Sequence, residues 1–354
     1  MWCALAASIL ASAPASSQVA AETALTPSGF YIRADGSYQS VALPTYDLGW
    51  KRITFAPTTD RGPIQSHEPR VDGYGVTTAF GYAFRDGTFS PALGSNFRVE
   101  LGGLYVNARG TTSATDGASG GVALQYVNGV IPIVVPGLAL KTCPGCSTAS
   151  SLSTDYDAWQ INLKAASDHR FDRVTLTPSI APFAGNTRNQ QSFSQQLIHP
   201  SNIVYDYAVA SSLKWTDWGA KLGLDSKFDV TRWLTFGVGG TVGWARRDVS
   251  MSANDTAFFP GAIGAYPNAS TAAASLTTTA FLASAEANLT LRLGSNTVAR
   301  AFGGLNYDSR VPGISTTSFS DPFPVGEQQT PAGIKFASET SYYAGGGVTV
   351  TFGP

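Results

Sequence analysis

No internal stretch of this 354-residue chain could cross a membrane as a helix. The most apolar run, residues 122–140, is broken by Gly129, Pro132, Pro136 and Gly137, which a spanning helix of about 20 residues does not tolerate. Charge is also scarce. Only 13% of residues are charged, with 23 Lys and Arg against 24 Asp and Glu, so the basic footprint of a nucleic-acid binder is missing. Three histidines and three cysteines leave little material for a metal centre, and no metal or cofactor is expected. The sequence contains no P-loop, dinucleotide fingerprint or EF-hand.

Cysteine is informative in its scarcity. Cys3 has only two residues before it, too few for the apolar region of a lipoprotein signal. Cys143 and Cys146 form a Cys-Pro-Gly-Cys unit. Such a pair can be a redox motif, half a zinc site or a small structural disulfide. No second pair or nearby histidine completes a zinc site, and no βαβ pattern supports a thioredoxin-like context. A disulfide pinching a surface loop is expected in an oxidising compartment. Export is the reading of the N-terminus, where residues 2–14 are apolar or small and Val19-Ala20-Ala21 precedes Glu22. Residues 1–21 therefore read as a signal peptide and 22–354 as one domain. No Lys or Arg precedes the apolar stretch, which points to a late start or a trimmed end.

What the chain has in quantity is alternation. At residues 234–242, Leu234, Phe236, Val238, Gly240 and Val242 point one way while Thr235, Gly237, Gly239 and Thr241 point the other. Successive side chains of a β-strand face opposite sides, so this is a strand with one apolar face. The pattern recurs at residues 29–39, 72–84, 96–108, 155–167, 174–184, 217–227, 278–293, 297–308 and 338–352. Mean hydropathy stays at +0.00 because the faces cancel. Aromatics flank several apolar faces, as Tyr74 and Phe84 do. Connectors alternate between very short, as at Gly294-Ser295-Asn296, and long. A soluble sandwich gives the alternation but not this rhythm of connectors, whereas a transmembrane barrel gives both.

The expected fold is all-β, a transmembrane antiparallel up-and-down barrel of about ten strands. Twelve result if residues 122–135 pair into the wall; that segment, with Asn128-Gly129 at its centre, otherwise reads as a projecting hairpin. Pro178 and Pro182 predict a bulge or an early end in the fifth strand. Residues 168–170 read as a polar turn, and residues 185–205 as a long loop.

Charged side chains fall on the face opposite the lipid: Arg33, Asp35, Arg98, Glu100, Lys164, Lys221, Asp225, Glu286, Arg292 and Arg300. They suit the lining of a pore or the salt bridges of a filled, narrow barrel. Enzyme signals are weak. His67, His169 and His199 are the candidate bases, and Asp155 and Asp157 are paired acids without an adjacent Asp-x-His element. No serine sits in a hydrolase elbow, and no enzymatic activity is expected. The Asn-x-Ser/Thr matches at Asn254 and Asn268 carry no meaning in a bacterial chain.

Several segments resemble exported outer-membrane barrels of proteobacteria, and are similar to the Legionella-type pore-forming major outer-membrane protein family. They are Gly29-Phe-Tyr-Ile-Arg-Ala-Asp, Ala158-Trp-Gln-Ile-Asn-Leu, Leu176-Thr-Pro-Ser-Ile-Ala-Pro-Phe-Ala-Gly185 and Trp218-Gly-Ala-Lys-Leu-Gly-Leu. The aromatic near the C-terminus, Phe352, resembles the signal read by outer-membrane assembly machinery, although Gly353-Pro354 follow it. The resemblance implies a pore-forming or surface role without catalytic residues. Two functions follow as expectations: a porin-like barrel passing small hydrophilic solutes or ions, or a surface structural or adhesion barrel with a filled lumen whose loops bind a partner. Membrane lipids and lipopolysaccharide are the expected surroundings, in the outer membrane of a Gram-negative bacterium.

Overall fold

The computed structural model describes residues 28–48, 51–55, 58–62, 65–84, 88, 95–117, 147–198, 204–258, 268–315, 318–319, 329–330 and 333–352. The signal segment, Cys143, Cys146, His199 and the 122–135 hairpin lie outside them. Ten strands close a ring: β1 (Gly29–Ala42), β6 (Arg70–Ala83), β7 (Ser95–Gly117), β8 (Ser147–Phe171), β9 (Val174–Ile198), β10 (Val204–Asp229), β11 (Leu234–Phe258), β12 (Asn268–Arg292), β13 (Thr297–Ser315) and β16 (Gly333–Phe352). Each pairs antiparallel with its neighbours, and β1 closes the ring on β16 through Phe30↔Phe352 to Ser40↔Tyr342. Short ladders decorate the connectors. β2 (Tyr46–Leu48) pairs with β5 (Gln65–His67), β3 (Lys51–Phe55) with β4 (Thr58–Gly62), and β14 (Ser318–Phe319) with β15 (Gln329–Thr330). No helix of the described residues is long and apolar enough to cross a membrane.

The exterior identifies the solvent. An exposed apolar band of Ile32, Val76, Leu101, Ile161, Leu163, Leu222, Leu224, Val238, Val242 and Val348 circles the ring. Phe30, Tyr82, Phe171, Phe228, Phe236 and Phe352 edge it below, and Tyr38, Tyr74, Tyr105, Trp159, Trp218, Trp244 and Tyr342 above. Within one strand the two girdles stand about ten residues apart, the length of tilted strand that crosses a bilayer core. A closed antiparallel barrel wearing an apolar belt between two aromatic girdles is a transmembrane barrel of the outer-membrane kind.

The strands run well past that span. β8, β9, β11 and β12 hold 25 residues each and β10 holds 26. Beyond the upper girdle the polarity of the faces exchanges. Leu152, Phe193, Val209, Leu213, Val249 and Met251 now point inward and are buried in a shared core, while Ser153, Ser192, Ser250 and Ser252 face outward. Lipid no longer bathes the outside there, so the outer face turns polar and the interior supplies the hydrophobic core.

Several sequence expectations are corrected by this extension. The expected long loop at 185–205 is a wall-building hairpin, since only residues 199–203 separate β9 from β10. Asp168, His169 and Arg170 belong to β8, and the turn is Asp172-Arg173, with Asp172 in the left-handed region at φ 52°, a conformation Asp tolerates better than most residues. That two-residue link, not residues 294–296, is the tightest turn among the described residues. Pro178 and Pro182 neither bulge nor end β9. Both face outward, and the ladder to β8 passes from Asn162↔Phe183 to Ala165↔Ile180 in unchanged register. The missing proline N–H groups cost ladder bonds locally without moving the strand.

Candidate functional site: the interior of the barrel

The interior is built by alternation, and small residues decide which charges meet. Asp35 on β1 and Arg300 on β13 both align with Gly347 of the intervening β16. A Cβ at Gly347 would collide with the Asp35 carboxylate; without one, the Arg300 guanidinium reaches across to Asp35 through Nε at 3.1 Å and Nη2 at 3.0 Å. The same device works at β6, whose inner face offers Ala79 and Gly81. Arg33 passes over it to grip Glu100 of β7, with Nη2 to Oε1 at 2.9 Å and Nη1 to Oε2 at 3.2 Å, and the Tyr31 hydroxyl donates to the same carboxylate at 3.1 Å. On β11, Gly239 makes room for Asp225.

These pairs join into a band. Arg33 also lies 3.3 Å from Asp35, and Arg300 3.6 Å from Glu286, which accepts from the Tyr343 hydroxyl at 3.1 Å. Glu100, Arg33, Asp35, Arg300 and Glu286 thus form one chain across the lumen. Lys164 stands 3.7 Å from Asp225. Lys221 donates to Gln160 Oε1 at 3.2 Å, with its ammonium 4.3 Å from the Phe183 ring centre. Towards the lower end, Asp168 takes Arg98 at 3.0 Å, Asn96 at 2.9 Å and Thr177 at 2.7 Å. Towards the upper end, Arg247 grips Asp217 with two bonds of 2.7 Å and also pairs with Asp308.

Among the described residues, seven Lys or Arg and seven Asp or Glu are buried inside the barrel. An interior without room for counter-ions requires that balance, because an uncompensated buried charge is costly. Within the band a cavity of ≈ 50 Å³ remains, bordered by Arg33, Glu100, Lys164, Lys221, Gln160 and Phe183. That is room for a few waters.

Of the ten charged positions read from sequence as lining, nine lie buried in this network. Arg292 does not: it sits exposed at the lower rim, its Nε donating to Gly294 O at 3.1 Å. The ten leave out Asp168, Asp217, Lys227, Arg247 and Asp308, which are also buried; Asp168 reads from sequence as part of a turn, whereas Asp217, Lys227 and Asp308 fall on the inward face without being counted as lining. Tyr31 and Tyr343 lie on that inward face as the alternation predicts, and their hydroxyls hold Glu100 and Glu286. Asp155 and Asp157 face outward. Asp155 pairs with Arg109, and Asp157 accepts from Asn107 and Tyr105.

The arm between β1 and β6 packs into the upper core through Leu43 and Tyr46. Tyr46 of β2 stacks on Phe193 at 5.6 Å, and His67 of β5 meets the same ring edge-on at 5.8 Å. The His67 ring bridges two walls, with Nδ1 3.0 Å from Thr112 Oγ1 and Nε2 2.9 Å from Ser150 Oγ. Burial in this apolar setting lowers the imidazole pKa. The Ser150–His67 distance is that of a nucleophile and its base, but the orienting partner is a hydroxyl rather than a carboxylate. Ser150 is also paired on both sides, to Ala114 and Gln195, so its strand has no spare N–H for an oxyanion. The contact ties the arm to β7 and β8. No group of His, Cys, Asp and Glu among the described residues could hold a metal ion.

No known family profile and no curated protein matches the chain. Among solved structures, the outer membrane protease OmpT of Escherichia coli is similar at 15% identity and a TM-score of 0.42, over 91% of this chain and 97% of that one. The translocator domain of the autotransporter NalP of Neisseria meningitidis matches at 13% identity and 0.32, over 92% and 89%. The toluene transporter TodX of Pseudomonas putida matches at 10% identity and 0.30, over 96% of each. These are a protease, a translocator and a transporter, and the ring described above rests on its own strand pairing.

Proposed function

We propose that the chain is a closed outer-membrane barrel that anchors and displays a rigid extracellular wall, with its connectors available to a partner, and that it is neither an open diffusion pore nor an enzyme. The observation that carries this reading is the charge-balanced ion-pair band filling the lumen, with the Tyr46–His67 arm packed above it. Ten strands lie near the narrow end of barrel sizes, where side chains alone fill the interior. The strand extensions beyond the bilayer serve display directly, since they raise the connectors above the headgroups on a packed core. Liposomes carrying the refolded protein should swell in small sugars no faster than empty ones. Swelling that falls off with solute size would overturn the proposal.

A small or gated pore is the second reading, in line with the pore-forming role implied by the Legionella-type family that several segments resemble. The water-sized cavity beside Lys164 and Lys221 favours it, because a solute path would pass there once the Arg33–Glu100 pair opened.

A further inference from the structure

The outer surface just above the upper girdle carries a cation pair that the fold does not use. Arg188 on β9 and Lys214 on β10 are direct cross-strand partners, and both side chains point outward and are exposed. Like charges placed opposite each other destabilise a sheet. Their own row holds one carboxylate for the two cations: Asp157 faces Arg188 from β8 without pairing with it, its Oδ1 accepting from Asn107 and Tyr105, and the residue facing Lys214 from β11 is Ser250. Among the described residues, neither the Arg188 nor the Lys214 side chain makes a hydrogen bond or ion pair. The other outward cations near this height are occupied: Arg109 pairs with Asp155 at 2.8 Å, and Arg246 lies over the Trp218 ring at 5.7 Å and 3.6 Å from Asp248.

Depth tells what meets this pair. Lys214 is four residues beyond Trp218 on the same strand, and Arg188 two residues beyond Asn186, the ladder partner of Trp159. On tilted strands that places both heads roughly 5–10 Å above the aromatic girdle, at the level of the outer-leaflet headgroups. Below them, Asn186 donates to Thr216 at 3.0 Å and Trp218 begins the apolar belt. This surface is complementary to a ligand with a phosphate at the cations, a polar sugar beside Asn186 and Thr216, and acyl chains along the belt.

We propose that Arg188 and Lys214 form a docking site for a phosphate of an outer-leaflet glycolipid of the lipid A type. The site rests on the membrane placement of the barrel argued above. Binding of bisphosphorylated lipid A to the refolded full chain, read by native mass spectrometry from detergent, tests it. A basic group at an anionic surface is worth about fivefold in affinity, so Arg188→Gln with Lys214→Gln should weaken binding about 25-fold. Arg188→Lys with Lys214→Arg should keep most of it, and Arg109→Gln should change it little. Should the double glutamine variant fail to fold, each single variant should lose about fivefold. Unchanged affinity in the glutamine variants would overturn the proposal, as would equal binding of lipid A stripped of phosphate. Displacement by inorganic phosphate at equal concentration would make it a free-anion site and overturn it too. Heat-modifiable mobility of the wild type, lost only if the chain is no barrel at all, separates failure of this site from failure of the membrane reading.

Discussion

At the scale of single residues, the interior depends on where side chains are absent. Gly347 and Gly346 are neighbours on β16 with opposite outlooks. A Cβ on Gly347 would strike the Asp35 carboxylate, whereas one on Gly346 would come no nearer than 3.2 Å, to the Arg300 carbonyl. Overpacking a filled interior costs about 1–3 kcal/mol, and here it also parts an ion pair whose halves cannot reach water. Gly347→Val should therefore lower the urea midpoint of the folded barrel markedly, while Gly346→Val, pointing to lipid, should leave it nearly unchanged. Equal midpoints for the two variants would argue against a load carried by the Asp35–Arg300 pair. The inward charges themselves were legible in the sequence, because Arg33 and Asp35 could not face lipid. Their pairing was not. Which glycine separates which two charges depends on register between strands remote in sequence, such as β1 and β13 joined through β16.

At the scale of elements, the sequence showed β1 and β6 almost whole but, for the long strands β7 to β12, little beyond the bilayer-spanning part. The reason is physical. Alternation was read with the apolar face outward, and beyond Trp218, Trp244 and Tyr342 that rule inverts, so Phe193, Val209 and Met251 looked like loop residues. The continuous period of two across the inversion, as along Leu213, Trp215 and Asp217, was the signal available. The arm between β1 and β6 was likewise read as loop, since its short ladders alternate too briefly to register. His67 gives that arm a pH dependence. Its folded pKa lies below the ordinary 6.5 because burial disfavours the cation. The docked arm is thus fully stabilised above about pH 6.5 and loses that stabilisation as pH falls towards and through the lower folded value. Hydrogen exchange over residues 46–67, corrected for its intrinsic pH dependence, should rise on acidification to pH 5, and His67→Gln should flatten the response. Exchange that is equally slow at pH 5 and pH 8 would contradict a histidine lock.

At the scale of the whole molecule, two cores are stacked on one axis. A polar, charge-balanced core fills the barrel within the bilayer, and an apolar core fills it above. Each is dictated by what lies outside the wall at that height, lipid below and water above. The proposed closure rests on both: the ion-pair band in the lower core and the arm packed into the upper one. Ten strands and the lipid-facing side were readable from the chain, but open against filled was not, because inward charges alternate identically in either case until their partners are known. Planar-bilayer recording of the refolded protein tests closure most directly. The account predicts no sustained conductance at neutral pH at either polarity, and a stable open level that shifts in Lys221→Gln would contradict it.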